Sequence, residues 1–180
     1  MQLRDSVSVR PFQDSDISMV LDYWYRSGQD FISSLGVDLA KLPSENQMRE
    51  SLSDKNKQKY FQTITYRSLA IGTHSVYPCF SGDFAVFHSH IMKPEFRRRG
   101  IGSLSYLLAC KNFIETFNLQ RVLFGTPNQN IGAMRIKEKL QIREIDLQLK
   151  VPSLLRDGIS CRYFELTAEE LSKKLETFGL

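Results

Sequence analysis

Residues 84–117 read FAVFHSHIMKPEFRRRGIGSLSYLLACKNFIETF, and their hydrophobic period changes once. Up to residue 92 the stretch has the apolar character of a buried strand, and from Gly102 its apolar residues recur at helical spacing. The junction holds three arginines followed by Gly100-Ile101-Gly102. A strand that turns directly into a helix puts backbone N–H groups and the positive helix end at one point. The junction therefore predicts an anion site of the kind that a pyrophosphate needs.

The glycines and the arginines of this junction have separate roles in that prediction. Glycine lets the backbone approach phosphates closely, and Arg97, Arg98 and Arg99 add charge-assisted hydrogen bonds. A dinucleotide-binding turn would need a third glycine where this sequence has Ser105, and a Walker turn would need Gly-Lys-Ser or Gly-Lys-Thr. Both common nucleotide motifs are therefore disfavoured. Gly-x-Gly alone also occurs at helix starts that use glycine only for packing.

Five elements are predicted before the junction. Residues 6–12 alternate small polar and apolar side chains up to a proline, which indicates a short strand. Residues 17–24 carry apolar side chains at helical spacing, and the polar, lysine-rich residues 44–59 favour a peripheral helix. Residues 61–66 and 69–76 predict two strands that are antiparallel to each other and to the strand of the junction.

The segments after the central helix complete a mixed sheet. Residues 121–125 are an apolar run, so strand, helix and strand form a right-handed crossover with parallel strands. A further helix is predicted to begin at Asn130. Alternation over residues 145–151 predicts a strand that pairs with residues 161–166 across a turn. Thr167 opens a capping box and with it a C-terminal helix.

The composition is that of an ordinary globular domain. Apolar residues make up 42% and charged residues 24% of the 180 positions, far from the signature of disorder. The net charge of +4 is a mild excess with one cluster at Arg97–Arg99, so nucleic acid is not expected as a partner. No apolar run reaches the about 18 residues of a membrane span. Cys79, Cys110 and Cys161 lack Cys-x-x-Cys spacing, so we expect no metal site and a cytoplasmic location.

Two motifs resemble the signatures of the GNAT superfamily of acetyl-CoA-dependent N-acetyltransferases. The junction is similar to Arg/Gln-x-x-Gly-x-Gly/Ala, here Arg97-x-x-Gly100-x-Gly102. Residues 130–140, NIGAMRIKEKL, are similar to Asn-x-x-Ala/Ser with a Glu-Lys-Leu ending. The resemblance covers nearly the whole chain and implies one GNAT-like domain over residues 1–180. Its implied fold is α+β (mixed α/β), with a mostly antiparallel sheet of about seven strands, helices on both faces and a β-α-β cofactor crossover.

The resemblance also implies that the cofactor is acetyl-CoA (coenzyme A). Two parallel strands would splay apart to admit its pantetheine arm, with the backbone of His90, Ile91 and Met92 beside it. Asn130 would reach the cofactor from the far side of the cleft. The residues expected at the pyrophosphate are Arg97, Arg98, Arg99, Gly100, Ile101, Gly102 and Ser103.

The catalytic groups are less clear because two positions depart from the family. Lys137 stands where many members have a Tyr that protonates the leaving thiolate, and Gly125 stands where some have a Glu. Our candidate base is His88, which lies upstream of the expected thioester and carries an imidazole that titrates near neutral pH. Water could relay the proton instead.

The candidate residues also have interpretations without a catalytic role. His88 and His90 could be hydrogen-bonded histidines without a catalytic role. Cys110 is expected as buried filler among leucines and Glu95 as an exposed carboxylate. Lys137 is expected as a solvated helix residue, and its place in the motif leaves a substrate contact open.

The resemblance therefore implies an N-acetyltransferase that moves an acetyl group from acetyl-CoA to a primary amine, by direct attack in a ternary complex. The amine could belong to a small molecule or to a protein. Because the Tyr and the Glu are missing, a serious alternative is a non-catalytic acyl-CoA-binding sensor or regulatory module. A homodimer is compatible with the sequence, and no membrane partner is expected.

Overall fold

The computed structural model describes residues 3–54, 59–78, 82–147 and 153–180. Seven strands form one sheet in the order β1-β2-β3-β4-β5-β7-β6. All neighbouring strands are antiparallel except β4 and β5, which are parallel. The predicted mixed, mostly antiparallel sheet is confirmed. The strands are β1 (Val7–Pro11), β2 (Tyr60–Tyr66), β3 (Leu69–Tyr77), β4 (Phe84–Ile91), β5 (Arg121–Pro127), β6 (Arg143–Ile145) and β7 (Cys161–Thr167).

Helices cover both faces of this sheet. On one face, α4 and α6 bury a cluster that contains Phe87, Phe113, Phe124 and Leu166. On the other face, α1, α2 and α3 pack around Ile17, Leu21, Ile32 and Met92. The helices that the structure describes are α1 (Ile17–Arg26), α2 (Gln29–Ser34), α3 (Glu45–Ser53), α4 (Ile101–Phe117), α5 (Ile131–Lys139) and α6 (Ala168–Phe178).

Local sequence explains where several helices begin. The Asn130 side chain accepts a hydrogen bond of 3.2 Å from the Ala133 N–H and caps α5. Thr167 forms the expected capping box with Glu170 at α6. Left-handed residues end α4 at Asn118 and α6 at Gly179.

Three elements differ from the sequence prediction. The helix predicted over residues 44–59 is α3, which ends at Ser53, and residues 55–58 lie outside the described part of the chain. The short helix α2 was not anticipated, because six residues are too few to show a helical period.

The strand predicted over residues 145–151 is β6, which spans Arg143–Ile145, and residues 148–152 lie outside the described part of the chain. Its pairing with β7 is antiparallel, as predicted. Alternation continued past Ile145, but Leu147 is exposed, so the pattern extended beyond the paired strand.

Cys110 is buried and free, as predicted, and Cys161 is free and half-buried. Cys79 lies outside the described residues. Over the described ranges, no helix combines the length and the apolar character needed to cross a membrane.

Candidate functional site

A gap opens between β4 and β5. The two strands pair at only three positions, Phe84 with Arg121, Ala85 with Val122 and Val86 with Leu123. Beyond these pairs β4 continues along β3 as far as Ile91, and β5 continues along β7 as far as Pro127. Each strand is therefore held by its outer neighbour while the two inner edges separate. We call this gap, between residues 87–92 and 124–127, the interstrand cleft.

Aromatic side chains fill the narrow end of the interstrand cleft. Phe87 and Phe124 are the first residues past the last β4–β5 pair, and their ring centroids are 5.3 Å apart. Tyr106 of α4 stacks on Phe124 at 5.2 Å and lies 4.4 Å from Phe87. The α4 side of this end is thus apolar and tightly packed.

The backbone turn predicted to bind phosphate lies after the wide end of the cleft. Gly100 has a φ of 79° and is the N-cap of α4, whose first N–H groups have no partner within the helix. A Cβ at Gly100 would lie 3.3 Å from Leu3 Cδ2. The left-handed φ disfavours any side chain at residue 100, and Leu3 leaves little room for one. Both effects favour glycine at this position.

A cavity of about 260 Å³ adjoins Gly100 and the first turn of α4. Two cationic side chains, Arg4 and Lys139, contribute to its wall together with Ser103. N–H groups of a helix start, the positive end of the helix dipole and two cations suit a diphosphate. This region of the chain therefore fits the anionic part of coenzyme A. Arg4 and Lys139 were not anticipated from the sequence, since they are remote from the turn along the chain.

At Gly102 a side chain is disfavoured by lack of space, not by the backbone conformation. A Cβ there would approach Ile136 Cδ1 to 3.0 Å and Ile91 Cδ1 to 3.5 Å. The absence of a side chain at Gly102 therefore brings α4 close to α5 and to the end of β4.

Arg97 binds the backbone of β4. Its Nε donates to the Ile91 carbonyl at 2.9 Å, and its Nη2 donates to the Met92 carbonyl at 3.0 Å. The guanidinium also lies 4.4 Å from the centroid of the Phe31 ring. This arrangement fixes the wide end of the cleft, and the predicted contact of Arg97 with the cofactor stays a prediction.

The other predicted cofactor residues differ in exposure. The Ile101 side chain is fully buried, and that of Met92 is buried against the helices of the opposite face. The Met92 N–H donates to Ile71 of β3 at 2.9 Å. Because successive N–H groups of a strand point to opposite edges, the Ile91 N–H points away from β3 and toward the cleft. Arg98 and Arg99 are exposed in the turn.

His90 belongs to an aromatic wall on the α1 face. Its Nδ1 shares a hydrogen bond of 3.0 Å with Tyr23 Oη, and its ring centroid lies 5.2 Å from that of Trp24. Burial and the nearby charges of Lys59 and Arg97 lower the pKa of His90 to about 4. Burial likewise raises the pKa of Tyr23 well above its usual range. This wall is therefore uncharged at neutral pH.

His88 lies on the same face of β4 as His90, two residues nearer the narrow end of the cleft. Its side chain keeps some solvent contact, although protein atoms surround the ring. Burial first, and then the charge of Lys59, lower the pKa of His88 to about 3. The imidazole is neutral at pH 7 and free to accept a proton, but the shift makes it a weak base.

Lys137 is buried, which overturns the expectation that it is solvated. The side chain is 3% exposed. Its Nζ lies 4.9 Å from the ring centroid of Tyr106 and 5.5 Å from that of Phe124. Residue type suggested solvent, but its spacing of i+4 from Ala133 and i−3 from Leu140 places it on the apolar stripe of α5. That spacing was the signal in the sequence. Burial lowers the pKa of Lys137 to about 7.

On the α1 face, α2 and its neighbours bridge the wide end of the cleft. Phe31 contacts Arg97 at the end of β4, whereas Gln129, just past β5, donates from Nε2 to the Ser33 carbonyl at 3.2 Å. Residues 28–41 also bind residues 153–160, as in the hydrogen bond of 3.0 Å from the Arg156 N–H to the Gly36 carbonyl. We call these two segments, residues 28–41 and 153–160, the acceptor-side cover.

A larger cavity of about 790 Å³ lies at the other end of β5, next to Arg121 and Glu165. There Arg121 binds Glu165 at 2.7 Å and Asp83 at 2.5 Å. The strands are still paired at that end, so the cavity is separate from the cleft. Glu95 is exposed, as predicted, and the described residues contain no group of His, Cys, Asp or Glu side chains suited to a metal.

Several solved structures share this fold. The spermidine N-acetyltransferase of Vibrio cholerae, in complex with CoA and spermine, is 12% identical with a TM-score of 0.74, over 93% of this chain and 99% of that one. The aminoglycoside acetyltransferase AAC(6')-Ib, in complex with ribostamycin and coenzyme A, is 15% identical with a TM-score of 0.75, over 94% and 97%. RimJ of Mycobacterium smegmatis, in complex with CoA-disulfide, is 15% identical with a TM-score of 0.73, over 96% and 89%.

Comparison at the sequence level finds no relative. No protein-family model matches the chain, and no curated protein matches it.

Proposed function

We propose that this chain, which has the fold of the GNAT superfamily, is an N-acetyltransferase that moves an acetyl group from acetyl-CoA to a primary amine. The observation that supports the proposal most is the separation of β4 and β5 after three pairs, next to a helix start with a left-handed glycine. The cleft offers strand edges to an extended arm, and the turn offers N–H groups to a diphosphate. The chain as a whole, over residues 1–180, acts as one domain in this proposal.

The proposed binding residues follow from their positions. The N–H groups of residues 98–103, with Arg98 and Arg99, hold the diphosphate, and Arg97 fixes the strand that lines the cleft. His90, Ile91 and Met92 run beside the pantetheine arm, to which Ile91 offers its N–H, and Asn130 approaches the arm from the β5 side. Acetyl-CoA, when bound, supplies an activated acetyl thioester. The Ile91 N–H points toward the cleft and would polarise the acetyl carbonyl.

The proposed chemistry is direct attack by a neutral amine. Positioning supplies most of the acceleration, because the amine and the thioester are held together in one cleft. The attacking nitrogen becomes strongly acidic as its bond to carbon forms, so a weak base is sufficient to remove its proton. His88 accepts this proton, either directly or through a water molecule. We propose a cytoplasmic enzyme whose acceptor enters from the side of Trp24 and the acceptor-side cover.

Calorimetry with coenzyme A and acetyl-CoA tests the binding part of the proposal. We expect one site per chain, and we expect thiol release when acetyl-CoA is offered with a panel of diamines, aminoglycosides and N-terminal peptides. Selective thiol release with one class supports the enzyme. Tight binding without turnover on any amine would support the alternative, a non-catalytic acyl-CoA-binding module. A chain that ignores coenzyme A altogether would overturn both.

The His88→Gln variant tests the proposed base. Glutamine keeps a hydrogen-bonding group of similar size but cannot take up the proton. We expect coenzyme A affinity to be unchanged and kcat to fall about 100-fold, the lower end of a general-base contribution. An unchanged kcat would assign proton removal to water alone.

A further inference from the structure

Lys137 differs from the other carboxylate and ammonium groups that are buried among the described residues. Asp16 is 3% exposed and binds Arg10, Thr63 and the Gln13 N–H. Glu165 is 4% exposed and binds Arg121 and Arg143. Within the described ranges, the ammonium of Lys137 has neither a carboxylate partner nor a hydrogen-bond acceptor. The contacts found for it there are with two aromatic rings.

The titratable side chains near Lys137, including His88 on the other face of the sheet, are neutral at pH 7. On α4, burial raises the pKa of Tyr106 and of Cys110, so the phenol and the thiol keep their protons. On β4, burial lowers the pKa of His88 to about 3, so its imidazole is uncharged at pH 7. From β5 the ammonium meets Phe124, an apolar ring. An ammonium among such groups is costly, and none of them compensates it.

The position of the ammonium is informative. Phe124 is the first β5 residue past the last pair with β4, and Tyr106 stacks on it, so the Nζ atom lies at the narrow end of the interstrand cleft. The pKa of Lys137 is about 7, and no protein anion among the described residues lies beside its ammonium. At the end of the cleft that is proposed to hold the acyl thioester, this ammonium suits an anion that forms only during the reaction.

We propose that the Lys137 ammonium donates the proton that the coenzyme A sulfur takes up as the bond between carbon and sulfur breaks. The inference rests on the proposed acetyltransfer and assigns a catalytic residue to it. Burial among neutral groups favours loss of the proton from this ammonium, and its cation–π contacts hold the side chain toward the cleft.

The step is balanced in protons and electrons. The amine nitrogen forms a bond to the acetyl carbon and gives one proton to His88 or to water. The electron pair of the breaking bond goes to sulfur, and sulfur receives one proton from Lys137. The neutral Lys137 amine regains a proton from solvent before the next turnover. The products are the N-acetyl amine and coenzyme A with its thiol.

The test compares Lys137→Met with Lys111→Met, in which an exposed lysine of α4 is removed instead. The first measurement needs no turnover: the affinity for S-carboxymethyl coenzyme A, which carries a carboxylate next to the sulfur, is compared with the affinity for coenzyme A at pH 6, where the Lys137 ammonium keeps its proton. A positive charge beside the sulfur attracts this carboxylate, so we expect the wild type and Lys111→Met to favour the carboxymethyl form at least about tenfold more than Lys137→Met does. An equal preference in all three proteins would overturn the proposal.

Kinetics with the amine found in the panel give the second measurement. We expect Lys137→Met to lower kcat about 100-fold or more, with little change in the KM for acetyl-CoA. With p-nitrophenyl thioacetate as the donor the loss should shrink to a few-fold, because that thiolate leaves without a proton. An equal loss with both donors, or none with either, would overturn the proposal.

Two further measurements cover the remaining outcomes. NMR titration of wild-type protein carrying ¹³C-labelled lysine should show one lysine, absent from the Lys137→Met spectrum, that titrates near neutral pH. If Lys137→Met does not fold, Lys137→Tyr replaces it, since a phenol can also protonate the sulfur and should keep activity. Mass spectrometry after turnover should find Lys137 unmodified, and acetylated Lys137 would make it an acceptor and overturn the proposal. Loss of coenzyme A binding by the wild type would instead refute the acetyltransferase function.

Discussion

The phosphate turn and the acceptor-side cover are built in opposite ways. The turn from Arg97 to Ser103 is continuous in sequence, and its shape depends on the φ of Gly100 and on the start of α4. The acceptor-side cover joins residues 28–41 to residues 153–160 and to Gln129. Its contacts link segments that are far apart along the chain. The contrast teaches that a site made from one local turn can be identified from sequence, whereas one assembled from distant loops has no motif.

Gly100→Val tests the contrast most severely. Valine at a left-handed φ is strained, and its side chain would project toward Leu3 and the cavity beside α4. We expect the Kd for coenzyme A to rise about 100-fold, or ~2.7 kcal/mol, in calorimetry. Gly158→Val is the matched control, because Gly158 has a φ of 70° in the acceptor-side cover and open space around it. Both variants should lose similar stability, and equal loss of affinity would remove the distinction between the two regions.

Lys137→Met tests whether the buried ammonium beside the interstrand cleft lowers the free energy of unfolding. The folded pKa of about 7 lies below the ordinary value of 10.5, so the unfolded chain binds more protons between these values. The wild-type cost is therefore full below about pH 7 and fades as the pH rises toward 10.5. Urea unfolding at pH 6 should show the variant about 2 kcal/mol more stable, with the gain vanishing at alkaline pH. A variant less stable at pH 6 would contradict this.

Arg97→Lys separates support of the cleft from contact with the cofactor. Lysine cannot reproduce the two hydrogen bonds that the guanidinium gives to Ile91 and Met92. Thermal unfolding should show a loss of about 1 kcal/mol. Arg98→Lys, at an exposed position, is the control and should leave stability within about 0.5 kcal/mol. Weaker coenzyme A binding by Arg97→Lys at unchanged stability would instead make Arg97 a direct ligand.

Gln129→Ala should have the smallest effect and probes the acceptor-side cover alone. The amide of Gln129 donates to the carbonyls of Ser33 and Ser34 at 3.2 and 3.3 Å at the surface. Its loss should cost about 0.5 kcal/mol in urea unfolding. Coenzyme A affinity should not change, while the KM for the amine rises. A drop in coenzyme A affinity would show that the two regions are coupled.

Sequence reasoning succeeded where short-range rules determine structure. The caps at Asn130 and Thr167 and the switch of period at Gly102 are local features, and the parallel pairing of β4 with β5 followed from a crossover of one hand. Sequence reasoning failed where it judged burial by residue type. Lys137 was assigned to solvent by its residue type, although helical spacing placed it on the buried stripe.

The contacts of Arg97 could not be predicted either, since a guanidinium suits a phosphate and a carbonyl equally well. The turn after β4 returns the Arg97 side chain to the end of the strand, so the carbonyls of Ile91 and Met92 are its partners. Arg4 and Lys139 reach the cavity beside Gly100 through the packing of distant segments, which no local pattern encodes.

The short seam between β4 and β5 has a mechanical consequence. Four strands lie on one side of it and three on the other, and only three residue pairs join the two groups directly. We therefore expect the sheet to open more easily at this seam than between its other neighbouring strands. A molecule seated across the opening would restrain the seam, so amide hydrogens on both sides of the seam should exchange more slowly together when it binds.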